Sequence, residues 1–154
     1  MERKKRILIR GAVVLLFLSY LAILVYLVFF SERYGRIPGN EDGVHYNLKP
    51  FAEIRRFLTY REALGIRYVI VNLAGNVLAF IPLGFFPPLL YHVMRKMRRV
   101  LLLGFLVSLM VETTQLSAGV GSFDVDDIIL NTCGTVIGFL LYRCFFRIRR
   151  RHYG

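Results

Sequence analysis

Glu112-Thr-Thr-Gln115-Leu-Ser-Ala-Gly-Val-Gly121-Ser-Phe-Asp124-Val-Asp126-Asp127-Ile-Ile-Leu-Asn131-Thr-Cys-Gly134-Thr-Val-Ile-Gly138 sets four acids and two side-chain amides around a short glycine-bearing turn. Long runs of Leu, Ile, Val and Phe flank it on both sides. With 56% hydrophobic residues and a mean hydropathy of +0.52, the 154-residue chain carries more apolar surface than a soluble domain of that length needs for its core. The bilayer is therefore the expected solvent, and acids between two apolar spans are costly there unless a partner or a task accounts for them.

Working away from this stretch, the spacing predicts an all-α polytopic membrane bundle of four transmembrane helices at about 11–30, 68–91, 100–118 and 128–146, all within one domain covering 1–154. Residues 11–30 follow a basic start bearing Arg3, Lys4, Lys5, Arg6 and Arg10, and as a helix they are about 30 Å long, one hydrocarbon thickness. The run ends in Phe-Phe-Ser-Glu-Arg-Tyr34 with no Ala-x-Ala-like site, which favours a retained anchor over a cleaved signal peptide. Between the first two spans, Gly35, Pro38, Gly39, Asn40 and Gly43 predict loop. Beyond Pro50, Phe51, Ile54, Phe57, Leu58 and Leu64 interleave with charged residues, as in an amphipathic helix lying in the interface. Pro82 is expected to kink or break the second span and Pro87-Pro88 to end it. Asn72, Gly75, Asn76 and Ala79 share a face of that span, and Asn131, Gly134 and Gly138 share one of the fourth, a small-residue packing seam. Cys133 and Cys144 are too far apart along one helix to bridge each other and read as two small buried hydrophobes.

The net charge of +11 is explained by where the basic residues sit. The N-terminus, the His92 to Arg99 turn and the end from Arg143 onward hold 5, 4 and 5 of them, and the Gly119 to Asp127 turn holds none. Both termini are therefore expected in the cytoplasm, with topology and anionic lipid accounting for the charge rather than nucleic acid. In that orientation Asn72 and Asn76 lie roughly 6 and 12 Å below the outer end of their helix, Gln115 and Glu112 roughly 5 and 9 Å, and Asn131 roughly 5 Å. With Asp124 and Asp127 capping the same end, these residues predict a polar pocket in the outer leaflet.

Each of them has a plainer role open to it. The amides serve equally as interhelical hydrogen bonds, and the aspartates as caps of the fourth helix. Glu112, Asp124 and Asp127 are the catalytic candidates, as acid/base groups or, with oxygens suited to Mg²⁺ or Ca²⁺, in metal-assisted chemistry. The spacing is not that of an EF-hand, and His45, His92 and His152 are too scattered for a zinc set, so no cofactor is expected. Ser108 and Ser122 have no evident histidine base, so nucleophilic catalysis has little support.

Four motifs occur in order: Asn47-Leu-Lys-Pro50-Phe51; Asn72-Leu-Ala-Gly75-Asn76 with Phe80-Ile-Pro82-Leu-Gly84-Phe85; Glu112-Thr-Thr-Gln115; and Asp124-Val-Asp-Asp127-Ile-Ile-Leu-Asn131-Thr-Cys-Gly134. In these the chain resembles the VanZ-like membrane proteins over about 44–146. The resemblance implies a bacterial inner-membrane protein associated with reduced susceptibility to teicoplanin, a lipid-bearing glycopeptide, and it supplies no reaction. Where many of those proteins carry an arginine just before the first aspartate, this chain has Gly121. Two functions follow as expectations. One is binding of an envelope lipid, a lipid-linked intermediate or the antibiotic in the pocket. The other is an intramembrane enzyme in which Glu112 acts with Asp124 or Asp127 on a lipid-linked substrate.

Overall fold

Unbroken stretches of residues with high helix or apolar content give long helices wherever glycine and polar turns do not intervene. The computed structural model describes residues 2–30, 46–119 and 121–153 of the chain. Its elements run α1 (Glu2–Phe30), β1 (Tyr46–Asn47), α2 (Ala52–Thr59), α3 (Arg61–Leu64), α4 (Ile66–Leu90), a 3₁₀ turn (His92–Arg95), α5 (Met97–Ala118), β2 (Phe123–Asp124) and α6 (Val125–Tyr153). Among the described residues, the stretches Arg3–Val28, Ile66–Leu90, Met97–Ala118 and Val125–Phe146 are long and apolar enough to cross a membrane. The protein is an all-α polytopic bundle. The loop expected around Gly35 to Gly43, and His45 with it, lie outside the described residues.

Helices α4 and α6 form the main seam of the bundle, and glycine makes it possible. A Cβ at Gly138 would stand 1.9 Å from the Ile81 carbonyl oxygen, one at Gly84 1.9 Å from that of Thr135, and one at Gly134 2.1 Å from that of Val77. No side chain fits at such distances, so the two backbones meet directly, which in lipid supplies the packing that the hydrophobic effect cannot. Helix α5 closes on α6 at Gly104, where a Cβ would clash with the Thr135 side chain. Helix α1 packs more lightly against α4 and leaves most of its apolar side chains facing outward. Its inward residues Phe17, Tyr20, Leu24 and Val28 join Phe80, Leu83, Leu103 and Val107 in one cluster, while Val100, Phe139 and Tyr142 centre a second.

Two sequence expectations need correcting. Helix α4 is continuous through Pro82 and through Pro87-Pro88 to Leu90, so Pro82 does not break it. In a bundle, neighbouring helices take up carbonyls near a proline, and here the Tyr20 hydroxyl donates to the Ala79 carbonyl at 2.8 Å in the turn before Pro82. Cys133 and Cys144 are free and exposed on α6 rather than buried. Hydrocarbon solvates a thiol about as well as a protein interior does, so a membrane helix has no need to bury one.

Candidate functional site

The end of the bundle where α4 and α6 begin and α1 and α5 finish is closed by a polar assembly built from residues far apart in the chain. Gly119 ends α5 in the left-handed region at φ 64°, a conformation glycine adopts without strain, and turns the chain back toward α6. There β2 pairs in parallel with β1, Tyr46 opposite Phe123 and Asn47 opposite Asp124. The Asn47 amide donates to Asp124 Oδ1 at 3.1 Å, and the same oxygen accepts the Asp126 amide at 2.7 Å, an N-cap for α6. Asp126 then faces away from its own helix. Buried to 1% exposure, its carboxylate accepts the backbone amides of Phe51, Glu53 at 2.8 Å and Ile54 at 3.0 Å, and so caps α2. These bonds hold Phe51 at φ 64°, a strained position for a phenylalanine.

The amphipathic segment folds as the two short helices α2 and α3, with Phe57 buried and tilted against Tyr68 at a ring separation of 6.0 Å. Burial holds the Asp124 carboxyl above the ordinary carboxylate range, against the opposing pull of the Asp126 and Asn47 amides. Burial also raises Glu53, which Arg56 pulls down and Asp124 and Asp126 push up.

Beneath this cover lies a cavity of about 70 Å³ between α1, α4, α5 and α6. Asn72, Asn76, Glu112, Gln115, Asp127 and Asn131 line it, with Gly121 and Ser122 from the turn. Leu24, Leu27, Val28, Ala79, Phe80 and Val111 form its apolar side. Glu112 is 2% exposed and accepts the Asp124 amide at 3.0 Å. Asp127 accepts from the Asn76 amide at 2.5 Å. Asn131, 3% exposed, donates to Ser108 Oγ at 2.9 Å. Gln115 reaches across to α1 and donates to the Val28 carbonyl at 3.0 Å, whereas Asn72 donates to Tyr68 in its own helix.

Six of the seven pocket residues singled out in the sequence thus meet at one cavity, and Asp124 does not line it. Its carboxylate turns to Asn47 and the α6 cap, because residue 124 belongs to the ladder rather than to the helix. Sequence reasoning missed Asn47 and Ser108 as partners of site residues and the use of Asp126 to cap a different helix. The signal for Ser108 was present, since it shares the α5 stripe of Glu112 and Gln115. Nothing in local spacing announces a ladder between residues 47 and 124. Among the described residues no group of three His, Cys, Asp or Glu is arranged to hold a metal ion.

Four spans with polar side chains of three of them meeting at one end define a polytopic membrane protein with a polar cavity near one face. The chain belongs to the VanZ/LLP1 family, whose model matches residues 17–147 and so takes in the second half of α1 as well as the region carrying the motifs. No curated protein and no solved structure gives a match.

Proposed function

We propose that this VanZ-like protein sits in the bacterial inner membrane with both termini in the cytoplasm. There it uses the cavity to bind the polar end of an amphipathic envelope molecule. The ligand is an envelope lipid, a lipid-linked intermediate or a lipoglycopeptide, and the consequence is lower susceptibility to teicoplanin-type antibiotics. One observation carries this reading: a single cavity presents buried acids and amides on one side and Leu24, Leu27, Val28 and Phe80 on the other. Such a lining matches a molecule with a small polar head and an apolar body. A volume of about 70 Å³ has room for a head group and not for a whole antibiotic.

The rival reading, an enzyme using Glu112 and Asp127 on a lipid-linked substrate, has in its favour that both acids border the same cavity. Glu112→Gln and Asp127→Asn test both. Each keeps size and one acceptor oxygen for the partner amide, so each is expected to accumulate normally in the membrane and to lose teicoplanin protection. Normal abundance with protection intact in both variants overturns the binding and the enzymatic readings together. Loss of protection, with wild-type protein giving no new product from lipid extracts by mass spectrometry, favours binding.

A further inference from the structure

Every side-chain amide bordering the cavity turns its NH₂ group to an acceptor within the protein. Asn72 donates to the Tyr68 carbonyl, Gln115 to the Val28 carbonyl, Asn76 to Asp127 and Asn131 to Ser108. A carbonyl only accepts, so the orientation of Asn72 and Gln115 is fixed by their partners. The oxygen of each amide is therefore directed away from that partner. The Asn131 Oδ1 atom is buried without any hydrogen-bond partner, and it belongs to a cavity-lining residue. Thr132 Oγ1, the other such atom among the described residues, does not. Glu112 and Asp127 add carboxylate oxygens to the same lining.

Among the described residues the one ion pair is Arg56 with Glu53 on α2, so neither cavity acid is paired with a described cation. Among the described residues the lining includes no Lys or Arg. Acids in a membrane protein call for a counter-charge, and none of the described residues provides one here.

We propose that the cavity is a receptor for a primary ammonium group carried on an apolar chain. This rests on the reading above that the cavity takes the polar end of an amphiphile, and it names the chemistry of that end. An alkylammonium has three N–H donors and no acceptor, the complement of Glu112, Asp127 and Asn131 Oδ1. A phosphate or carboxylate brings only acceptors and negative charge against two acids. A quaternary ammonium has no N–H to give and is held by a cage of aromatic rings. Among the described residues the only ring in the lining is Phe80. Leu24, Leu27 and Val28, on the lightly packed α1, border the cavity where the chain of the amphiphile would lie.

The test is thermophoresis of the full-length protein in a nonionic maltoside micelle, titrated with dodecylamine, dodecyltrimethylammonium, dodecyl phosphate and ethylamine. Dodecylamine is expected to bind saturably and about tenfold or more tighter than the other three, the size of effect that charge-assisted hydrogen bonds give. Asp127→Asn, and Gly121→Arg, which places a cation in the cavity from a position where a Cβ meets Gln115 only at ordinary contact distances of 3.4 Å and beyond, are each expected to weaken dodecylamine about tenfold or more. Dodecyl phosphate or the trimethylammonium compound binding as tightly as dodecylamine overturns the ammonium assignment and leaves the pocket standing. Ethylamine binding as tightly as dodecylamine shows a soluble amine as the source and overturns the amphiphile. Wild-type affinity in both variants places any binding elsewhere and overturns the inference. No saturable binding of any of the four overturns this inference and the proposed function alike.

Discussion

Asp126 caps a helix that begins more than seventy residues earlier, and it is the least replaceable acid of the three in the turn. Replacing it with Ala removes three charge-assisted bonds and leaves a left-handed Phe51 without restraint. The expected cost is about 3 kcal/mol, read as lowered thermal stability in detergent and as protease cleavage within residues 46–60 of otherwise intact protein. Proton linkage gives a second expectation. Asp124 and Glu53 hold their protons more tightly in the folded protein than in the unfolded chain. Just above the ordinary carboxylate range the folded form therefore binds more protons, and stability falls as pH rises through that window. Melting in detergent should come at a lower temperature at about pH 7 than at about pH 5, with a shallower slope in Asp124→Asn. The residues bordering the cavity were legible because period and depth are properties of one helix at a time. Which oxygen of an Asp or Asn faces which partner was not, because that depends on chain segments no local pattern connects.

Helices were the most legible layer, since apolar runs of one membrane thickness admit few alternatives. Proline was misleading for the same physical reason. The rule that it breaks helices describes water, where a freed carbonyl goes to solvent, whereas in α4 the backbone is packed among neighbouring helices, with Tyr20 of α1 bonding Ala79, next to the Leu78 carbonyl that Pro82 frees. The glycine seam foreseen at Gly134 and Gly138 is the interface of α6 with α4, and it sets up a paired prediction. Gly138→Ala forces a methyl group into the Ile81 carbonyl and is expected to cost about 3 kcal/mol or more, seen as loss of folded protein in size-exclusion chromatography. Gly11→Ala meets nothing within 4 Å on α1 and should leave stability unchanged or raise it by about 0.5–1 kcal/mol. Equal behaviour of the two variants would refute the direct backbone contact.

For the molecule in its membrane, the proposed orientation puts the polar end of the bundle outside, on the side with few basic residues in its turn. Single cysteines in a background lacking Cys133 and Cys144 test this. A cysteine at Ser122 should react with a membrane-impermeant maleimide in intact cells, and one at Val93 only after lysis. The reverse pattern would put the acidic turn in the cytosol. The ladder between Tyr46–Asn47 and Phe123–Asp124 also bears on biosynthesis. Its two halves are 77 residues apart at Asn47 and Asp124, so the first waits in the emerging polypeptide while the two intervening spans, α4 and α5, pass through the insertion machinery. Until residues 123–126 are in place, β1 has no partner and α2 lacks its Asp126 cap. A protease on the ladder's side of the membrane would meet that segment first, and closure of the roof marks the moment at which the newly made protein escapes it.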